Sequence, residues 1–88
     1  MTAYYPVPHE FEAKEARALF RARFARSPKA RATWLFLACW YRWRLARLGL
    51  ALANGRNDRA RRLAMGDLNR ASAAMRAAWA ELQTVKGA

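Results

Sequence analysis

Apolar positions recur along most of the chain at spacings of three and four, the period of a helix face rather than the alternation of a strand. Trp34, Ala38, Tyr41, Leu45, Leu48 and Leu52 form one such series. Ala64, Leu68, Ala71, Met75, Ala78, Leu82 and Val85 form another after a short polar stretch. Two stripes of this kind joined by a few residues predict an antiparallel helical hairpin with coiled-coil-like packing. Small Ala opposite large Trp, Tyr and Leu would let the two backbones approach closely.

Pro, Gly, Ser and Asn place the ends of the elements. Tyr4, Tyr5, Pro6 and Pro8 predict an extended arm over residues 1–7, with Pro8 as the first position of helix 1. Glu10, Glu12 and Glu15 then precede Arg21, Arg23 and Arg26, the polarity that a helix dipole favours. Helix 1 is expected over about 8–26. Ser27-Pro28 reads as an N-cap followed by a proline pre-set for the first turn, and Asn54-Gly55 predicts a left-handed C-cap. Helix 2 is therefore expected over about 28–54. Asn57 or Asp58 caps helix 3, expected over about 58–85.

Helix 2 carries a second apolar stripe on its far side: Phe36, Cys39, Trp40, Trp43 and Leu50. Helix 1 offers Ala13, Ala16, Phe20 and Phe24 on one face, so the expected partner of that stripe is helix 1 folded back across it. The predicted fold is all-α, a small three-helix domain spanning 1–88, with a short helix 1 packed on a long antiparallel hairpin of helices 2 and 3. A chain of 88 residues buries only about 60–65% of its unfolded surface. With hydrophobic residues at 55%, it is too apolar for disorder.

Charge changes the picture from fold to partner. Seventeen Lys and Arg face six Asp and Glu, a net charge of +11, and fourteen of the seventeen are Arg. Guanidinium forks pair bidentately with phosphate and carboxylate and stack on aromatic rings, so an anionic partner is expected: nucleic acid, an acidic protein face or anionic lipid.

Three basic groups are candidates for contacting it. Arg56, Arg59, Arg61 and Arg62 cluster at the hairpin tip, where cations oppose the dipole of helix 3 and only Asp58 offsets them. Beside backbone N–H groups of the helix start they form an anion site; the bland alternative is a solvated tip. Trp40-Tyr41-Arg42-Trp43-Arg44, continued by Arg47, interleaves aromatic and basic groups. Phe36, Trp40, Trp43 and Arg42 are candidate partner-binding residues, and Arg44 and Arg47 candidate phosphate ligands. Alternatively, Trp40 and Trp43 are core under helix 1 and the Arg heads merely reach water. Arg21, Arg23, Arg26, Lys29 and Arg31 surround the corner between helices 1 and 2. Corner and tip would lie roughly 40 Å apart at about 1.5 Å per residue, a spacing suited to a long anionic surface rather than a small molecule.

Other chemistry has little to draw on. Residues 34–53 are apolar enough to suggest a membrane span, but Arg42, Arg44 and Arg47 fall in its middle at about 2.5–3.5 kcal/mol each near a bilayer centre. Peripheral lipid contact is the membrane mode left. The carboxylates are scattered, His9 has no second His, and the glycines stand apart, so no catalytic residue, metal site or cofactor is expected. Cys39 within an apolar run reads as packing. No leader is apparent in residues 1–12, and a single Cys suits a reducing, cytoplasmic setting. The expected function is a non-enzymatic basic binding module, a regulator or accessory factor contacting nucleic-acid phosphates. The alternative is a protein-interaction module, such as an inhibitor, adaptor or small subunit, docking an acidic partner through the Trp/Arg face of helix 2.

Overall fold

In the computed structural model, which describes residues 8–87, the chain forms α1 (Pro8–Arg23), α2 (Pro28–Ala53) and α3 (Asp58–Gly87), with no strand among those residues. The arm expected over 1–7 lies outside the described residues. Ser27 is the N-cap of α2: its backbone is extended, its Oγ accepts a hydrogen bond from Ala30 N at 3.0 Å, and Pro28 follows in the first turn. Replacing Ser27 with Ala is expected to destabilise the fold by about 1 kcal/mol in urea denaturation, because the Ala30 N–H loses its acceptor at a helix start. Asn57, not Asp58, caps α3, through an Oδ1 acceptor for Ala60 N at 2.8 Å.

Two expected boundaries are corrected. α1 stops at Arg23 rather than 26, its end closed by bonds from Phe24 N to Phe20 O and from Ala25 N to Ala22 O, both 3.3 Å. The left-handed cap expected at Asn54-Gly55 does not form. Asn54 is right-handed helical, and no described residue has a positive φ. Bonds from Asn54 N to Leu50 O and from Arg56 N to Ala53 O close the turn in its place.

α2 lies between the other two helices, which do not touch each other. The long dimension of 46 Å is close to that of α3, whose 30 residues rise about 1.5 Å each. The stripes of α2 are thereby assigned, and for their bulky members the assignment reverses the expected one, while Leu45 meets α3 as expected and Leu52 is exposed. Trp34, Tyr41 and Leu48 face α1: Arg21 lies over the Trp34 ring at 5.0 Å, Lys14 over Tyr41 at 5.9 Å, and Leu48 shares a small groove with Phe11. Phe36, Trp40 and Trp43 face α3, where Trp79 meets Phe36 with ring centroids 5.2 Å apart. Helix 1 does not cover Trp40 and Trp43.

The packing face of α1 is likewise a different one from that expected. Phe11, Ala18 and Ala22 are buried and Glu15 and Ala25 half-buried, while Ala13, Ala16, Phe20 and Phe24 are all exposed. Phe20 and Phe24 keep 64% and 63% of their surface in water. The reason is volume. The side of α2 that meets α1 already supplies Trp34 and Tyr41, so α1 meets that stretch with Ala18 and Ala22, and its one buried ring, Phe11, sits past both beside Leu48 and Arg44. On α3 the expected stripe does pack, with Ala71 and Leu82 buried and its other members half-buried.

Among the described residues, six of the eight buried apolar ones are alanines, the others being Phe11 and Leu82. Alanines at the seams bring the helix axes close, and the bulky rings sit half-buried along the edges. This fold therefore makes grooves rather than a thick core. No helix among the described residues is long and apolar enough to cross a membrane.

Candidate anion-binding face

Phe36, Trp40 and Trp43 are spaced four and three apart, so they share a side of α2. Met75, Arg76 and Trp79 meet them from α3, and the six line an open groove of about 560 Å³. None of the six is a carboxylate. Trp79 is 50% exposed, a large apolar surface that the fold leaves in water. Arg44 places its guanidinium 5.4 Å from the Trp40 ring centroid and 5.8 Å from that of Phe11, and Arg47 lies 4.9 Å from Trp43. Cation–π contacts of this kind hold a planar fork against a ring without neutralising it. The groove is aromatic inside and positive along its edge.

The other side of the α2–α3 seam has the opposite character. Arg42, grouped by its sequence neighbours with Trp40 and Trp43, points away from them: its Nε donates to Glu15 Oε2 at 2.9 Å. It lines a separate groove with Leu45, Gly49, Asp67 and Arg70, in which Arg70 pairs with Asp67. Arg42 is thus removed from the partner-binding set, because a helix turn of about 100° per residue sends positions 42 and 43 to different sides. The Glu15 carboxylate is only 14% exposed in its side chain. It orients Arg42 and ties α1 to α2.

At the hairpin tip Arg56, Arg59, Arg61 and Arg62 are all exposed. Arg61 reaches Asp58 at 3.8 Å, and the other three make no ion pair among the described residues. The helix start itself is partly filled, since Asn57 Oδ1 takes the Ala60 N–H and Asn57 O accepts from Arg61 N at 3.1 Å. Anion binding at the tip rests on guanidiniums rather than on open backbone donors. At the corner Arg21 lies over Trp34, and Arg23 over Phe24 at 5.8 Å.

Met75, Arg76 and Trp79 went unassigned as site residues in the sequence. Trp79 lies one position past the packing residue Ala78, where a ring on the flank of the seam meets Phe36, and that offset is the signal that could have found it. Among the described residues no group of three His, Cys, Asp or Glu is placed to hold a metal ion. Burial pushes the Cys39 thiol above its ordinary value and the Glu15 carboxylate adds in the same direction. Both disfavour the thiolate that a nucleophile or metal ligand needs. Comparison with protein-family models, curated proteins and solved structures finds no match to the chain.

Proposed function

We propose that this chain is a non-enzymatic binding module that holds nucleic acid through phosphate contacts from Arg44, Arg47 and the tip residues Arg56, Arg59 and Arg62. The observation that carries the reading is the sorting of charge across the α2–α3 seam. On one side Glu15 and Asp67 pair with Arg42 and Arg70; on the other, Arg44 and Arg47 rest on aromatic rings with no carboxylate in the groove. On α2 the contacts begin at Arg44, about 14 Å from the end of the helix at about 1.5 Å per residue, and the tip residues follow beyond it. Contacts to phosphate position a protein on its ligand and carry little sequence information, which fits a small accessory factor.

Affinity for an oligonucleotide, measured by anisotropy across a salt series, tests the proposal. Log K is expected to fall linearly with log salt at about 0.7–0.9 per phosphate contact. Absence of binding at low salt, or binding indifferent to salt, would count against it. A second reading, docking of an acidic protein through the same aromatic groove, is favoured by one observation: α1 leaves that groove uncovered.

A further inference from the structure

We infer that the groove between α2 and α3 takes the bases of single-stranded nucleic acid, stacked against Trp79, Trp40 and Trp43 while Arg44, Arg47 and Arg76 meet the phosphates. This rests on the nucleic-acid reading above and narrows it to one strand form. A duplex keeps its base faces inside its own stack, so exposed aromatic rings offer it nothing that arginines alone do not. A single strand presents a π-face at every base, and base–aromatic stacking is tolerant of sequence.

Four features of the groove fit that ligand. Its lining is aromatic on both walls, with Phe36, Trp40 and Trp43 on α2 and Trp79 on α3. Trp79 is half-exposed, and its contact with Phe36 at 5.2 Å and an interplanar angle of 55° leaves ring surface open. From position 36 to position 43 the wall runs about 10 Å at about 1.5 Å per residue. Arg76 lines the groove, while Arg44 and Arg47 lie over the Trp40 and Trp43 rings and border the neighbouring groove beside Phe11. A backbone outside the groove and bases inside it is the polarity this arrangement matches.

Titrating the full chain with oligo-dT and with a hairpin duplex of equal charge, at low salt, tests the inference. Quenching of Trp emission and labelled-strand anisotropy are read together. The expected result is tighter binding of the single strand, with quenching, and a loss of about ten-fold in single-strand affinity for Trp79→Ala, helicity by circular dichroism being unchanged. Arg76→Gln serves as a second variant that leaves the rings in place, and it is expected to weaken the single strand and lower its salt slope. Equal affinity for both forms with no quenching and no effect of Trp79→Ala overturns the groove assignment and leaves phosphate binding standing. Failure of both ligands to bind at low salt overturns both proposals. Quenching by poly-glutamate but by neither oligonucleotide assigns the groove to an acidic protein and likewise overturns the inference.

Discussion

Phe11→Ala is expected to cost the fold about 3 kcal/mol, the low end of the range for a buried Phe. Phe11 is 8% exposed and the largest of the buried side chains among the described residues, with Leu48 and Arg44 beside it able to move into part of the space it leaves. The low end applies because α1 is docked on one side only. When packing weakens, α1 can lift from α2 without unfolding the α2–α3 hairpin, which limits the loss. Even so, a chain of this size has a total stability of roughly 4–13 kcal/mol, and the change takes a large share of it. Phe20→Ala is the control. With 64% of its surface in water, Phe20 is expected to cost about 0.5 kcal/mol or less. Urea midpoints for the two variants decide which face of α1 packs. Equal losses would sink the assignment of Phe11, Ala18 and Ala22 to the interface.

A pair of charge-matched double variants should separate specific phosphate contacts from bulk charge. Arg44→Gln with Arg47→Gln removes two positive charges, lowering the net charge from +11 to +9. Arg42→Gln with Arg70→Gln removes the same number. In a non-specific electrostatic attraction the two would behave alike. If the guanidiniums on the aromatic side touch phosphate, the first pair lowers the salt slope by about 1.4–1.8 and weakens low-salt binding by on the order of 10–100-fold. The second pair leaves the slope near that of the original chain, because Arg42 and Arg70 are already held by Glu15 and Asp67. Similar slopes for the two variants would reject the assignment. Glu15 loses its partner in the second variant, so its folding is checked by thermal melts before binding is compared.

The helices, their order and most of their ends are legible in the chain because the signals are local. Ser27-Pro28, Asn57 and the run of three-and-four spacings act within a few residues of where they sit. Which faces meet is a property of pairs of helices, and there local signals divide. α1 carries two stripes with helical spacing, one of Phe11, Ala18 and Ala22 and one of Ala13, Ala16, Phe20 and Phe24. By hydrophobicity the second is the stronger. It loses because fit against Trp34 and Tyr41 depends on volume, which periodicity does not report.

α2 presents the same difficulty from the other direction. A helix packed on two sides is apolar on two sides, so its stripes are visible but not their partners. Of the candidate site, Phe36, Trp40, Trp43, Arg44 and Arg47 were visible as one interleaved run and come together as a groove wall and its rim. Arg42 belonged to the run in sequence and not in space. Trp79 and Arg76 entered only when α3 was placed beside α2; the one local mark is that Trp79 follows the packing residue Ala78.

The absence of contact between α1 and α3 makes this molecule a linear stack of three units, in which each interface involves only nearest neighbours. Such arrays behave like short repeat proteins, whose stability is close to a sum of unit and interface contributions and whose ends melt inward. Terminal units of these arrays carry a polar outer face. α1 instead exposes Phe20 and Phe24, whose rings lie 4.8 Å apart in a groove shared with Trp34 of α2. α3 likewise leaves Leu63, Met65 and Trp79 in water, so both terminal units depart from that rule.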